Sequence, residues 1–219
     1  MIKLVIFDLD GTLLNTLDDL ADSCNYILNK YGFPEHPVEA YRYFVGNGVA
    51  KLVERALPED VRTPEFIEKV RKDFVEYYSA HAEDKTCPYD GILKLLEDIS
   101  AKDINLAVAS NKFIAGTKAL VKKYFDHIEF TSVLGQREGV PVKPNPQIVY
   151  DVMAESGITD KKHILYIGDS GADMKTAMNA GVESVGVLWG FRDRAELKEN
   201  GASYFVESPT EILDIISKL

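Results

Sequence analysis

The first apolar run of the chain ends in Asp8-Leu9-Asp10-Gly11-Thr12, and three more polar clusters stand in comparable places: Ser110-Asn111-Lys112, Val142-Lys143-Pro144-Asn145, and Gly168-Asp169-Ser170 with Asp173 one helical turn on. Together they offer carboxylates, small hydroxyls and lysines, the inventory for phosphoryl transfer to an aspartate. Asp8, at a strand terminus, is placed to be a rigid nucleophile that becomes an aspartyl-phosphate. Asp10, past the strand end, can protonate the leaving oxygen and then serve as base for the attacking water. Asp8, Asp169 and Asp173, with Asp10 beside them, supply hard oxygens for Mg²⁺, its octahedron completed by a backbone carbonyl, water and substrate phosphate. Lys143 screens Asp8 against an incoming phosphate dianion. Ser110, Asn111 and the amides of Gly11 and Thr12 are expected to hold phosphate oxygens.

Each residue alone has a plainer reading. An Asp at a strand end is usually a turn or cap residue, Ser110-Asn111 reads as a helix N-cap, and a single lysine is usually surface. The ordered series is far more specific than any one member.

The elements that must position these clusters follow from periodicity. Short continuous apolar runs at 3–8, 104–109, 163–167, 184–187 and, more weakly, 202–206 predict buried strands of a parallel sheet. Helical patterns at 89–102, 114–125, 146–156, 172–180 and 209–219 alternate with them, which predicts an α/β fold with a mostly parallel sheet. Residues 16–85 break the alternation: helices are predicted over 16–31, 45–57 and 64–82, with no strand. The expected organisation is a catalytic core of residues 1–15 and 86–219, interrupted by a helical domain at 16–85. Ligands of open α/β sheets bind beyond the carboxyl ends of the strands, so the four clusters should meet there.

Composition narrows the partners. The 219 residues carry 25 Lys+Arg against 35 Asp+Glu, a formal charge of −10. That balance gives no basic footprint for nucleic acid or an anionic membrane surface. No apolar run reaches the length of a membrane span, and the apolar start, broken by Asp8 and Asp10, does not read as a signal peptide. Cys24 and Cys87 have no metal-like spacing and read as free thiols of a cytoplasmic protein. His36, His81, His127 and His163 show no ligand spacing. Trp189 lines the rim of the site or packs in the core.

The series Asp8–Thr12, Ser110, Lys143, Gly168-Asp169-Ser170 with Asp173 resembles the four motifs of the haloacid dehalogenase-like hydrolase superfamily, and the resemblance runs end to end. It implies a Rossmann-like core, an aspartyl-phosphate intermediate, Mg²⁺ and a helical cap, residues 16–85, that closes over the site. The segment Arg42 to Val49, followed by Leu52 and Glu54-Arg55-Ala56-Leu57, is most similar to the phosphoglycolate phosphatases of that superfamily. In the cap, Gly46-Asn47-Gly48 reads as a tight turn that meets a small polar substrate or merely connects two helices. Arg42 pairs with a substrate carboxylate or forms a salt bridge within the cap. Two positions depart from the pattern of relatives: Asn15 stands where Asp is usual, at the hinge, and Ala172 where Asn is common, before Asp173.

The expected activity is Mg²⁺-dependent hydrolysis of a small phosphorylated metabolite by a cytoplasmic monomer or homodimer. The rivals within the superfamily are a β-phosphoglucomutase, which needs a cap cation such as Arg42 or Lys51 for a second phosphate, and a pyrophosphatase. A rival from another class is a non-enzymatic phospho-acceptor switch. No G-x-G-x-x-G follows the first strand, which argues against a dinucleotide enzyme.

Overall fold

The computed structural model describes all 219 residues. After β1 (Leu4–Phe7) and the two-residue β2 (Leu14–Asn15) come four helices: α1 (Leu17–Lys30), α2 (Val38–Phe44), α3 (Val49–Ala56) and α4 (Pro64–His81). The chain returns through β3 (Cys87–Pro88) and then alternates: α5 (Ile92–Ser100), β4 (Asn105–Phe113), α6 (Ile114–Phe125), β5 (Phe130–Gln136), α7 (Gln147–Ser156), β6 (Ile164–Gly168), α8 (Gly171–Ala180), β7 (Glu183–Val187), α9 (Arg194–Glu199), β8 (Tyr204–Val206) and α10 (Thr210–Lys218). Six strands form one parallel sheet in the order β5-β4-β1-β6-β7-β8. The strand order reverses at β1, so the crevice at the carboxyl end of that strand is where an open α/β sheet binds its ligand.

Period-two alternation feeds the two faces of the sheet. Val5 and Phe7 of β1 pack with α5, α6 and α10, while Leu4 and Ile6 pack with α7 and α8 on the other face. A strand covered on both faces reads as a continuous apolar run, which is why β1 was visible in the sequence. The helical insert has its own core, in which Leu20, Ile27, Tyr41, Leu52, Phe74 and Tyr78 meet, and Phe191 of the sheet domain packs into it. Its two connections lie side by side: Leu14 pairs with Pro88 and Asn15 with Cys87, antiparallel. Asp19 of α1 ties the return segment down, its carboxylate accepting from the amides of Lys85 and Thr86 and from the Thr86 hydroxyl.

Several elements differ from expectation. β4 runs four residues beyond the predicted end at Ala109, so Ser110, Asn111 and Lys112 are strand residues rather than a helix cap. Its pairing with β5 is irregular between Ala109 and Phe113, a local distortion that re-aims side chains. β5 was missed because Thr131, Ser132 and Gln136 interrupt its apolar pattern at the edge of the sheet. The helix expected from Val45 starts at Val49, because the chain turns through Gly48 at φ +84, a conformation L-residues rarely adopt. The short helices α2 and α9 were also missed; the first lies just after Pro34 and Pro37.

Candidate active site

Asp8 follows β1 directly and is 7% exposed. Its Oδ1 accepts from the Leu9 amide at 2.7 Å and lies 2.9 Å from Lys143 Nζ. Oδ2 makes no hydrogen bond to the protein, which leaves one carboxylate oxygen held and the other open.

Lys143, buried, uses its three donors on Asp8 Oδ1, on Asp173 Oδ1 at 2.6 Å and on the Ala109 carbonyl at 3.0 Å. Asp173, in the first turn of α8, also accepts on Oδ1 from the Tyr166 hydroxyl, and on Oδ2 from the amide and hydroxyl of Ser170. Four donors therefore occupy its lone pairs. Asp169 accepts one bond on each oxygen, from the Thr12 hydroxyl at 3.1 Å and the Phe191 amide at 2.8 Å. The turn after β1 fits against it only because residue 11 is glycine: at φ +85, a Cβ there would lie 2.3 Å from Asp169 Oδ2.

Oxygens of Asp8, Asp169 and Asp173 come within 4.8 Å of one another. Crowding of buried like charges shows in their chemistry. Burial, then Asp173 and Asp169, push the Asp8 carboxyl well above the usual range, with Lys143 opposing. Burial and Asp173 push Asp169 up to about 7, against the Phe191 amide, Arg192 and Thr12. Burial works to lower Lys143, but Asp173 and Asp8 outweigh it and hold the ammonium above its ordinary value. Hard carboxylate oxygens with more negative charge than Lys143 neutralises are a donor set that fits a divalent cation such as Mg²⁺. Asp8 and Asp169 accept fewer bonds than Asp173, for which the Tyr166 proton is shared with the Ala109 carbonyl at 3.2 Å, and oxygens of all three are close enough to meet one ion.

Asp10 lies apart from that group. Its two carboxylate oxygens accept from Lys112 Nζ at 3.0 and 3.2 Å, and the same ammonium donates to the Tyr78 hydroxyl of α4 at 2.8 Å. Burial lowers Lys112, but Asp10 and Tyr78 more than offset it, so this ammonium too is held above its ordinary value. Lys112 belonged to a cluster expected at the site but had no role assigned to it, and Tyr78 was not expected there. The signal for Lys112 was available: once β4 continues through Phe113, period two puts it on the same face as Ser110. Tyr78 carries no such signal, because its place depends on how the insert sits.

The insert lies over the carboxyl end of the sheet, with a cavity of about 40 Å³ beneath it, room for about three water molecules. Asp8, Asp10, Ser110 and Lys112 line the sheet side; Leu52 and Phe74 are among the apolar residues lining the insert side. Gly46 and Gly48 border it as expected, but Asn47 is turned to Arg55, whose Nη2 donates to its Oδ1 at 2.8 Å.

Other expectations need correction. The Gly11 and Thr12 amides are committed within the turn, to the carbonyls of Leu14 and Leu9, and are not free for phosphate. The Asn111 side chain is likewise committed: it donates to the carbonyls of Gly46 and Lys143 and accepts from the Lys143 amide, so it joins the insert to the Lys143 loop. Arg42 does not form the salt bridge considered for it, and its buried Nε has no hydrogen-bond partner. Its Nη2 donates to the Gly190 carbonyl at 2.6 Å, a strut from the insert to the sheet domain, and Arg192 returns the contact to the Val45 carbonyl. Trp189 is half-buried against the core and braces the turn, its Nε1 donating to the Thr12 carbonyl at 3.0 Å. Asn15 Oδ1 accepts from the Leu17 amide at 3.4 Å, at the start of α1.

Residues 5–187 match the family model of haloacid dehalogenase-like hydrolases. The chain belongs to that family. Among curated relatives, a phosphoglycolate phosphatase of Haemophilus influenzae (strain 86-028NP) is 30% identical over 98% of both chains. One of Mesorhizobium japonicum is 32% identical over 87% of this chain and 85% of the relative. A crystal structure from Lactobacillus delbrueckii subsp. bulgaricus, assigned as a phosphoglycolate phosphatase, superposes with a TM-score of 0.91 at 32% identity, covering 98% of each chain. This haloacid dehalogenase-like hydrolase is therefore an enzyme, and its named relatives are phosphatases. No helix is long and apolar enough to cross a membrane.

Proposed function

We propose that this hydrolase cleaves phosphate monoesters through an aspartyl-phosphate on Asp8, with Mg²⁺ as cofactor and 2-phosphoglycolate as substrate. One observation carries the chemistry: Asp8 keeps one carboxylate oxygen, Oδ2, free of hydrogen bonds to the protein, and Asp8 and Asp10 both line the cavity. Oδ2 attacks phosphorus, and the ester P–O bond breaks with its electron pair going to the leaving oxygen, which takes a proton from Asp10. Asp10 then takes a proton from a water whose oxygen attacks the phosphoryl group, releasing inorganic phosphate and restoring Asp8. Lys143 keeps Oδ1 fixed and offsets charge throughout, and the Ser110 hydroxyl is placed to donate to a phosphate oxygen. Mg²⁺, held by Asp8 and Asp169, supplies charge neutralisation of the transferring phosphoryl group.

The substrate assignment draws on the relatives' names. A single lining lysine is thin provision for pyrophosphate. The helical insert is a cap that opens for exchange and closes to exclude water. The free thiols Cys24 and Cys87 suit the cytoplasm.

The test is a panel of esters with Mg²⁺: 2-phosphoglycolate, pyrophosphate, glucose 6-phosphate and p-nitrophenyl phosphate. Many turnovers are expected, with the highest kcat/KM on 2-phosphoglycolate. A single stoichiometric phosphorylation without phosphate release would replace hydrolysis with a switch function, and a preference for hexose phosphates would move the substrate.

A further inference from the structure

The leaving-group half of the cavity holds a charge arrangement that hydrolysis alone does not require. Of the 14 residues lining it, Lys112 is the one cation. None of the arginines that the sequence places nearby lines it: Arg42 reaches the Gly190 carbonyl and leaves its Nε without a partner, Arg55 holds the carbonyls of Tyr43 and Phe44 and Asn47, and Arg192 holds the Val45 carbonyl and Glu196. Lys143 has all three donors in use on the far side of Asp8. Lys112 is 2% exposed along its side chain, yet it lines the cavity, and its ammonium rests on Asp10, a second lining residue, and on the Tyr78 hydroxyl. The opposite wall is apolar, Leu52 and Phe74 among it.

A buried ammonium needs an anionic or polar partner at every stage, because an unpaired charge there is costly. Without substrate that partner is Asp10. A substrate whose leaving group carries its own carboxylate brings a second anion into the cavity, and Lys112 is the one lining group that can pair with it. We infer that Lys112 is the specificity-determining residue of this site: it takes the carboxylate of a short phosphorylated acid. This rests on the phosphatase reading above and assigns the carboxylate contact to β4 rather than to Arg42 in the cap. An uncharged ester of the same size offers Lys112 no such pairing, so the site would select carboxylated esters in binding.

The experiment compares two esters matched in size, 2-phosphoglycolate and 2-hydroxyethyl phosphate, on the Mg²⁺-loaded enzyme. Wild type is expected to favour the first in kcat/KM. Lys112→Met should lower kcat/KM for 2-phosphoglycolate by roughly 100-fold, the scale of a lost charge-assisted hydrogen bond, while 2-hydroxyethyl phosphate changes by less than about tenfold. Arg42→Met should keep the ester preference, whatever it does to rate. Equal losses on both esters, no loss on either, or collapse of the preference in Arg42→Met instead of Lys112→Met would each overturn the assignment. If Lys112→Met does not fold, wild type still decides: glycolate should inhibit competitively at concentrations where ethylene glycol does not, and equal inhibition by the two overturns it. A wild type that turns over neither ester nor p-nitrophenyl phosphate would remove the phosphatase reading itself, a failure separate from that of Lys112.

Discussion

The two sides of Asp8 are built differently. On one side, Asp8, Lys143, Asp169 and Asp173 are held entirely by the sheet domain, by β1, β6, the start of α8 and the Lys143 loop, and every carboxylate has a donor from that domain. On the other side, Asp10 is held by Lys112, and Lys112 is held in turn by Tyr78 of the insert. The surroundings of Asp8 are thus complete without the insert, whereas those of Asp10 are completed by it. On the reading proposed above, the reactive carboxylate stands on rigid strand ends whose geometry stays fixed as the insert moves, and the proton donor lies against the insert, which would tie proton transfer to the state in which water is excluded.

The largest expected effect separates the two sides by chemistry. Asp8→Asn should abolish turnover of every ester, p-nitrophenyl phosphate included, because nothing else offers a free oxygen to phosphorus. Asp10→Asn should cost roughly 10²–10⁴-fold in kcat/KM on an alkyl ester and much less on p-nitrophenyl phosphate, whose leaving group needs no proton. Steady-state kinetics of both variants on both esters would check this, and equal losses for Asp10→Asn on the two esters would merge the sides into one unit.

A smaller effect concerns stability on the Asp8 side alone. Asp169 is raised to about 7 in the folded protein, by burial and Asp173, so folding favours its protonated form. That contribution is full below the ordinary carboxylate pKa and is lost as pH rises through about 7; Asp8, raised for the same reasons, adds to the same trend. Metal-free protein should therefore lose thermal stability between pH 5 and 8 through these groups. A bound divalent cation favours the ionised forms, so the increment in Tm on adding Mg²⁺ should grow across the same interval. Thermal scans with Mg²⁺ and with chelator would measure it, and an increment independent of pH would detach these carboxylates from the metal.

What the sequence disclosed follows the same division. Asp8, Asp169 and Asp173 were legible because a short apolar strand followed by polar residues puts them at one sheet edge whatever else the chain does, whereas Lys143, in the loop beyond β5, was legible only from its place in the ordered series of motifs. Five of the six sheet strands were readable as apolar runs; β5 was not, since Thr131, Ser132 and Gln136 dilute its pattern. The Gly11 and Thr12 amides were misassigned because composition cannot show that a tight turn satisfies its own donors. Asn111 and Arg42 were taken for ligand contacts, yet both serve carbonyls across the junction of insert and sheet domain. The Lys112–Tyr78 contact was invisible for the same reason: it depends on the placement of one folded unit on another, which no local pattern encodes.

The smallest expected effect tests whether the two sides are independent. Tyr78→Phe removes the hydroxyl that accepts from Lys112 but keeps the ring, which belongs to the insert's apolar core and stacks on Phe74. Losing one hydrogen bond to a charged group shifts the balance between closed and open insert by about 1.5 kcal/mol, on the order of tenfold. Faster amide hydrogen exchange in the paired segments 14–15 and 87–88, where the insert joins the sheet domain, should report that shift. Turnover should fall several-fold. The Mg²⁺-dependent rise in Tm should stay as in wild type, because no donor to Asp8, Asp169 or Asp173 comes from the insert. If Tyr78→Phe reduced that rise as well, the carboxylate group would depend on closure after all, and the nucleophile's side could no longer be regarded as preassembled.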